Sequence, residues 1–382
     1  MAKSRITNFS NSVLTPIFQS ATYFFEDTNS VIDYHEWRGQ AGRYGRYDNP
    51  NWIECEKKIS TLDNFEHWLI FPSWMSAITT TLLGLLNTND HIIVNWKTYR
   101  NVRHFCTQQL PHYGIKVDTF ELNENYLESI LSVYNKDTKV IFIEMPSNPH
   151  LYIADIAKIK KSIRNDTILI VDSTLITPIN FKPKDHWADL VIHSCGKYIW
   201  WHSDILAGSV SWYEKYIEQI RQIRNVLWCI VDPHTAFLLN RSLETLKIRI
   251  EFQNNSWLKI AKFLNTHKKI SKVYYPWLES HPNHKLAQSI FSGFWGLVSF
   301  EIQWTKEDAT KFIDSLKIPF MGTNFWWSIS MVEQCAIFTY YKQTDAERKN
   351  LWISDTLIRL SIWLEDVDIL INDLNFALNT FN

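Results

Sequence analysis

Short apolar runs alternate with amphipathic stretches between residues 60 and 245. The apolar runs are predicted strands, and they cover residues 140–144, 167–171, 190–193 and 206–210. Between the first two, apolar residues recur at helical spacing over 153–163. A strand–helix–strand rhythm predicts a mostly parallel sheet with helices on both faces. In such sheets, binding and catalytic residues gather where the strands end.

The pattern changes at about residue 246. A helical stretch over 248–265 is followed by apolar runs at 273–276 and 296–302, and further helices are predicted over 309–316 and near 369–378. Residues 1–48 are polar and aromatic without a clear period, and they are predicted to form an extended arm. The expected organisation is an arm over 1–48, a large α/β domain over 49–245 and a smaller α+β domain over 246–382.

Charge and composition exclude several classes of function. The net charge of −1 gives no basic patch for nucleic acid or an anionic membrane. We find no stretch of about 18 apolar residues and no apolar signal core, so no membrane span is expected. The five cysteines are scattered and odd in number, which favours a reduced, cytoplasmic protein over a disulfide framework.

Two polar side chains follow the ends of neighbouring predicted strands. Asp172 ends the run Ile168-Leu-Ile-Val, and Lys197 follows the run that ends at His193. A lysine amine forms a Schiff base with the aldehyde of pyridoxal phosphate (PLP), and a carboxylate can hold the pyridine nitrogen protonated. The pair therefore predicts a PLP site. No metal site is expected, because the histidines of 280–284 have no third ligand spaced with them.

Other segments supply groups that suit a phosphate or a carboxylate. Tyr44 and Arg46 offer a phenol and a guanidinium, and the helical run that opens at Ser73 offers free backbone N–H groups. Arg359 lies in an apolar run, as a carboxylate anchor would. The alternatives are that Tyr44 and Tyr99 are ordinary buried aromatics and that Arg359 forms a structural ion pair.

Taken in order, these motifs resemble one known family over nearly the whole chain, from Thr15-Pro-Ile-Phe-Gln-Ser20 to Leu357-Ile-Arg-Leu-Ser361. The chain is similar to the Cys/Met metabolism group of PLP enzymes, above all to its plant-type cystathionine γ-synthases. The motifs behind this are Tyr44-Gly-Arg-Tyr47, Tyr99-Arg100, Tyr274-Tyr-Pro276, Ser280-His-Pro-Asn-His284 and Ser315-Leu-Lys-Ile-Pro319. The resemblance implies an aspartate-aminotransferase-like (fold type I) α/β fold and γ-replacement or γ-elimination on small sulfur amino acids. Cystathionine γ-synthase comes first, with cystathionine γ-lyase, O-acetylhomoserine sulfhydrylase and methionine γ-lyase as alternatives.

The resemblance also implies roles for individual residues. Lys197 and Tyr99 are the implied catalytic residues, with Tyr99 stacked on the cofactor ring and Asp172 on its nitrogen. The other implied cofactor contacts are Ser194, Gly196, Trp74, Met75, Thr174, Tyr44 and Arg46, and the implied substrate contacts are Arg359, Asn148 and Ser328. Because Tyr44 and Arg46 would reach the phosphate of a neighbouring subunit, a homo-oligomer with shared sites is expected, either a dimer or a tetramer.

The chain departs from the family pattern at two site positions. Gly196 replaces a Thr whose hydroxyl would support the phosphate. Ile329 replaces a Glu that in the γ-synthases and γ-lyases is linked to recognition of the distal amino group. The second change weakens the specific γ-synthase prediction and keeps sulfhydrylase or methionine γ-lyase activity open.

Tryptophan and glycine are present in unusual numbers. The chain has 10 Gly and 18 Trp, whereas glycine usually makes up about 7% of a protein. Tryptophan occupies positions where the family has glycine, namely Trp74, Trp187, Trp200, Trp201, Trp228, Trp277, Trp295, Trp326, Trp327, Trp352 and Trp363, with Trp212 and Trp304 as further candidates. We hypothesise that UGA codons specify glycine in the source and are written here as tryptophan. Trp37 and Trp257 cannot be assigned from the sequence.

If the tryptophans are genuine, a different class of function is expected. An indole at position 74 would enter the phosphate cradle, and the chain would then be a non-catalytic member that keeps the oligomer scaffold without PLP. Against this stands the joint presence of Lys197, Asp172, Tyr99 and Arg359, which a scaffold has no physical need to keep together.

Overall fold

The computed structural model describes residues 12–36, 44–294, 296–323 and 328–380, with Glu214 and Lys215 described by their backbone alone. The strands in this part of the chain are β1 (His67–Phe71), β2 (His91–Asn95), β3 (Lys116–Phe120), β4 (Thr138–Glu144), β5 (Ile168–Asp172), β6 (Leu190–Ser194), β7 (Gly208–Trp212), β8 (Ile270–Tyr274), β9 (Leu297–Ile302), β10 (Phe320–Met321), β11 (Met331–Gln334) and β12 (Leu357–Ser361).

The α-helices in the same ranges are α1 (Thr28–His35), α2 (Pro50–Asp63), α3 (Trp74–Leu85), α4 (Arg100–His104), α5 (Tyr126–Val133), α6 (Ile156–Ser162), α7 (Thr177–Asn180), α8 (Glu214–Leu227), α9 (Pro233–Leu243), α10 (Leu246–Thr266), α11 (His284–Ile290), α12 (Lys306–Ser315), α13 (Asp345–Asn350) and α14 (Val367–Leu378). Short 3₁₀ or π turns cover Phe105–Gln109, Leu110–Tyr113, Pro183–His186 and Cys195–Ile199.

Seven strands form the large sheet, in the order β1-β7-β6-β5-β4-β2-β3. All neighbours from β6 to β3 are parallel, and β7 runs antiparallel to both β6 and β1. The sheet is buried on both faces, because alternate residues of β4 enter different cores. Val140 and Phe142 belong to the core that includes apolar residues of α3, whereas Ile141 and Ile143 belong to the core that includes apolar residues of α2. This confirms the predicted mostly parallel sheet covered by helices.

The smaller sheet has five strands in the order β10-β11-β12-β9-β8. Only β10 and β11 pair in parallel, and the other neighbours are antiparallel. Helices α10, α12 and α14 contribute apolar side chains to the core beside this sheet, including Ile260, Phe312 and Leu374. The α/β fold with a large, mostly parallel sheet and a second, smaller sheet is therefore confirmed.

One segment differs from its predicted structure. Residues 28–35 form helix α1 inside the region that was predicted to be an extended arm. Asp27 begins this helix, because its side chain accepts a hydrogen bond from the backbone N–H of Ser30. The prediction missed this N-cap because helix α1 buries no residue and therefore has no apolar stripe. None of the helices in the described ranges has the length and apolar character that crossing a membrane requires.

Candidate active site

The ends of β5 and β6 are joined by a chain of hydrogen bonds. Asp172, the last residue of β5, is buried, and its carboxylate accepts a hydrogen bond from the backbone N–H of Thr174 (2.9 Å). The Thr174 hydroxyl accepts a hydrogen bond from the backbone N–H of Ser194, the last residue of β6 (2.8 Å). Burial raises the pKa of Asp172, and the hydrogen bonds from Thr174 oppose that rise. The structure thus brings these three predicted residues together at one edge of the sheet.

Lys197 lies in the turn that directly follows β6. Residues 195–199 form a helical turn that is kinked at Lys197, whose backbone is not helical (φ −93°, ψ −129°). Burial lowers the pKa of the Lys197 amine well below its ordinary value; the positive charge of Arg359 adds to this, whereas Glu144 opposes it. A lysine with such a pKa spends more time as the neutral amine, which is the form that can attack a carbonyl or accept a proton.

Gly196 is held closely against the loop that precedes β7. A Cβ atom at this position would lie 2.9 Å from the backbone carbonyl oxygen of Ile205. A side chain there would have to displace the backbone of that loop, because real Cβ atoms do not approach so closely. Position 196 therefore has no hydroxyl to support a phosphate, and the turn around it leaves no room for a side chain.

A guanidinium from the long helix α10 holds the far end of the lysine turn. Arg249 donates hydrogen bonds to the backbone carbonyl oxygens of Tyr198 and Ile199, both at 3.0 Å, and to that of Ser242 at 2.9 Å. The side chain is buried, and this burial lowers its pKa to about 10. The carbonyl oxygens of Tyr198 and Ile199 thus receive side-chain donors at the end of the lysine turn, whereas that of Ser242 also accepts the backbone N–H of Thr245 (3.2 Å).

Glu144 is a site residue that the sequence analysis did not single out. It is the last residue of β4, beside Asp172 in the sheet register. Its carboxylate accepts hydrogen bonds from the Thr98 hydroxyl and from the backbone N–H of Tyr99, both at 2.7 Å. Burial raises the pKa of Glu144 to about 7, and the negative charge of Asp172 adds to the rise. An acid that ends an apolar strand, as Asp172 does, was the signal that could have identified it.

Arg359 reaches towards the site from the smaller sheet. It lies in β12 and is buried, and it donates hydrogen bonds to the Asn148 side-chain oxygen (3.1 Å) and to the Thr323 carbonyl oxygen (2.6 Å). It also forms a buried ion pair with Glu333 of β11 (2.8 Å). Arg359 and Asn148, which were both predicted to contact the substrate, are therefore adjacent. Arg359 also forms the structural ion pair that was the alternative interpretation.

Trp74 occupies the space between two of the predicted cofactor contacts. It is the first residue of α3, after the N-cap Ser73, and its indole N–H donates a hydrogen bond to Asp172 (2.5 Å). Its ring packs edge-on against Tyr99, with 5.4 Å between the ring centroids. The indole thus uses the carboxylate oxygen and the aromatic neighbour that were predicted to hold the pyridine ring.

Tyr44 and Arg46 both contact Trp228, the residue that ends helix α8. The Arg46 guanidinium lies 4.5 Å from the ring centroid of Trp228 and 5.5 Å from that of Tyr44. It also donates a hydrogen bond to the Tyr47 hydroxyl (2.8 Å). These contacts do not bring the pair to Asp172 or Lys197 of the same chain, so a shared site between subunits remains a prediction.

The remaining two predicted site residues are Met75 and Ser328. Met75 follows Trp74 in the first turn of α3 and is partly buried. Ser328 is exposed and directly follows 324–327, which lie outside the described residues together with Trp295. Within the described part of the chain, no group of three or more His, Cys, Asp and Glu side chains is arranged to hold a metal ion.

The residues at the strand ends fit PLP, and Trp74 does not. A buried carboxylate and a lysine of lowered pKa face the same edge of the sheet, and the N-terminus of α3 faces it too. These are the groups that a pyridinium nitrogen, an aldehyde and a phosphate require. The indole of Trp74 nevertheless takes the hydrogen-bonding place of the pyridinium on Asp172.

The model of the Cys/Met metabolism PLP-dependent enzyme family matches residues 2–379. The chain belongs to this family. It is 38% identical over 360 residues to cystathionine gamma-synthase 1, chloroplastic, of Arabidopsis thaliana, and it is 36% identical over 372 residues to the tobacco enzyme of the same name. These matches cover 94% and 97% of this chain and 64% and 68% of the two plant proteins. Both plant relatives are chloroplastic by name, so a cytoplasmic location stays an expectation.

Other members of the family match with different activities in their names. L-methionine gamma-lyase of Fusobacterium nucleatum subsp. polymorphum is 32% identical over 98% of this chain and 95% of its own length. The metB protein of Corynebacterium glutamicum has a TM-score of 0.88, with 27% identity and coverage of 98% and 95% of the two chains. A putative O-acetylhomoserine (thiol)-lyase (metY) of Campylobacter jejuni has a TM-score of 0.89, with 27% identity over 98% of this chain and 97% of its own, and its structure contains a pyridoxyl-lysine phosphate. PLP is the cofactor of the family, and γ-replacement and γ-elimination are both represented among these relatives.

Proposed function

We propose that this protein is a cystathionine γ-synthase, which joins an activated homoserine to cysteine with PLP as its cofactor. The observation that carries the proposal is the convergence of Lys197, Asp172 and Arg359 on one edge of the large sheet. The choice of synthase rests on the plant relatives of that name, which are 36–38% identical over nearly the whole chain. The proposal requires that position 74 leave room for the cofactor ring.

Lys197 is proposed to move the protons of the reaction. Because burial and the neighbouring Arg359 lower its pKa, it can be neutral where an ordinary lysine is charged, and its Nζ atom can then accept the α-proton of the substrate. Glu144 opposes this shift and is the nearby group to which a positive charge on Nζ would be attracted. PLP, when bound, supplies the electron sink that makes loss of the α-proton feasible.

Arg359 is proposed to orient the substrate through its α-carboxylate. A guanidinium offers five N–H donors in a planar fork, which suits a carboxylate. Asn148 and Glu333 fix the plane of that fork from two sides. Glu333 offsets part of the positive charge of the guanidinium, so we expect the substrate carboxylate to be bound mainly through the directed hydrogen bonds of the planar fork.

The proposed enzyme acts as a homo-oligomer with shared sites. Tyr44 and Arg46 lie beside Trp228 and not at the Lys197 site of their own chain. This arrangement leaves them available to a phosphate in an adjacent subunit. We expect a dimer as the minimal active unit, with small amino acids as its substrates.

The test is a pair of product assays on protein isolated from its natural source. One reaction contains an O-acylated or O-phosphorylated homoserine with cysteine, and the other contains cystathionine alone. Formation of cystathionine in the first supports the synthase, whereas release of a keto acid and ammonia in the second assigns the lyase instead. Lys197→Ala should lower either rate by at least about 10²-fold, and an unchanged rate would remove lysine chemistry from the proposal.

A non-catalytic scaffold is the second candidate, and Trp74 is the observation that favours it. If protein from the source contains tryptophan at position 74, its indole occupies the place of the cofactor. After incubation with PLP and removal of the unbound cofactor by dialysis, such protein should show no absorbance from bound PLP, while it keeps its oligomeric state in sedimentation.

A further inference from the structure

We propose that UGA specifies glycine in the gene for this protein, so that the natural protein carries glycine at Trp187, Trp201, Trp228 and Trp352. All four have a left-handed backbone, with φ of +69°, +70°, +54° and +61°. That region favours glycine, because any Cβ atom crowds the backbone there. Among the described residues nine non-glycine residues have positive φ, and four of them are tryptophan; among the described glycines only Gly114 does.

Three of these tryptophans end a helical turn in the same way. After Trp228, the N–H of Cys229 bonds to the carbonyl oxygen of Arg224, five residues back. The same bond joins the residue after Trp187 to Pro183, and the residue after Trp352 to Arg348. This is the Schellman motif, whose left-handed residue is usually glycine and sometimes asparagine.

The chain contains the same motif with the residues that it normally uses. Gly114 ends the turn at Leu110–Tyr113, and the following N–H bonds to the carbonyl oxygen of Leu110. Asn64 ends α2, and the following N–H bonds to the carbonyl oxygen of Ser60. The same hydrogen bond, from the following N–H to the carbonyl oxygen five residues back, therefore accompanies one glycine, one asparagine and three tryptophans. Tryptophan is bulky and has no side-chain oxygen for a local bond to the backbone.

The packing of other tryptophans points the same way. The rings of Trp277 and Phe294 lie with their centroids 3.4 Å apart at an interplanar angle of 45°, whereas aromatic pairs normally keep 4.5–7 Å. The indole of Trp74 occupies the cofactor position on Asp172, although this second argument depends on the proposed function. By contrast, Trp52 and Trp257 lie in helices α2 and α10, and their backbones give no reason for glycine.

Tryptophan recurs at four positions that have a left-handed backbone. Repeated use of one residue at such positions is typical of a codon-reading rule and not of independent mutations. Drift at left-handed positions would favour asparagine and aspartate, which tolerate that backbone better. A UGA codon differs from the tryptophan codon UGG only in its third base. A gene whose UGA codons were read as tryptophan instead of glycine would produce the observed pattern, with few glycines and many tryptophans.

Peptide mass spectrometry on the protein from its natural source tests the proposal without any assay of activity. Peptides that contain positions 187, 201, 228 and 352 should have the mass expected for glycine, and the corresponding codons should be UGA. Tryptophan in these peptides, or UGG at these codons, would overturn the proposal. Glycine at these positions in a protein without activity would support the codon proposal and contradict the proposed function. The failure of one proposal can therefore be distinguished from the failure of the other.

A recombinant series gives a second, independent readout on the chain as written. W187G, W228G and W352G each relax a left-handed backbone at a half-exposed site, with side chains 51%, 52% and 44% exposed. We expect each to raise the thermal midpoint by about 1–2 °C. W96G is the matched control, since Trp96 is 37% exposed and has no positive φ, and it should lower the midpoint. Equal decreases in all four variants would contradict the backbone argument.

Discussion

The candidate site has two halves that differ sharply in how well they suit a cofactor. The half at the ends of β4, β5 and β6 presents Glu144, Asp172 and Lys197, whose pKa values are displaced in the directions that burial dictates. The half at the start of α3 presents an N-terminal helical turn with an indole directed back at Asp172. The first half is chemically complete and the second is sterically occupied. The comparison shows that one side chain can close a site whose charged residues are all in place.

The largest expected effect comes from reopening the occupied half. W74G removes the indole from Asp172 and Tyr99, and relief of overpacking is worth about 1–3 kcal/mol. We therefore expect the dissociation constant for PLP to fall by roughly tenfold to a hundredfold. Fluorescence titration with PLP measures it. W304G, at a half-exposed site two residues after β9, is the control, and an equal gain in both variants would refute a specific block at position 74.

A smaller effect is expected where the smaller sheet contributes to the complete half. R359K keeps the positive charge but loses the planar fork that Asn148 and Glu333 hold. On protein with an open cofactor site, KM for the amino acid should rise about tenfold, because hydrogen bonds to charged groups are worth about 1.5–3 kcal/mol. Initial rates over a range of substrate concentrations give kcat and KM separately. A change in kcat alone would show that Arg359 does not contact the substrate.

The raised pKa of Glu144 makes the free energy of unfolding depend on pH. Its pKa is raised to about 7 in the folded chain, so between about pH 4.5 and 7 the folded state holds a proton that the unfolded state has lost. Its contribution to stability therefore falls as pH rises through this window, by on the order of 3 kcal/mol. In E144Q that part of the dependence should disappear. Urea unfolding at pH 5 and pH 7 measures it.

The exposed Glu279 provides the control for this experiment. E279Q should retain the pH dependence of the unmodified chain. If E144Q retains it as well, the proton is held elsewhere, with Asp172 as the first group to examine.

The smallest expected effect is at the cap of α3. S73A removes the acceptor for the backbone N–H of Ser76 (3.0 Å), at a cost of about 1 kcal/mol in the free energy of unfolding. T344A removes the N-cap of α13, whose hydroxyl accepts the backbone N–H of Glu347 (3.3 Å), and should cost a similar amount. Only S73A should also weaken PLP binding to a variant with glycine at 74. Equal binding in both would mean that this helix start does not hold the phosphate.

The parts of the fold that follow from apolar pattern were predicted well, because continuous buried runs identify β4, β5 and β6 and helical spacing identifies α10. The antiparallel direction of β7 and the helix α1 were not predicted, since each depends on tertiary pairing or on one capping contact. Asp172 and Lys197 could be identified because they end apolar runs. Glu144 also ends an apolar run and was missed although that signal was present. Glu333 was missed because only the pairing of β11 with β12 brings it to Arg359. The indole position of Trp74 was anticipated only through the family resemblance.

Arg249 connects helix α10 to the turn that carries Lys197. It belongs to α10, the helix that leads from the large sheet into the smaller one, yet its guanidinium grips the carbonyl oxygens directly after Lys197. A rotation of α10 would therefore pull on the turn that carries the reactive amine, without passing through any substrate contact. Helix α10 also packs against β8 and β9 of the smaller sheet. The orientation of the lysine turn is therefore tied to the packing of the smaller sheet through one buried guanidinium.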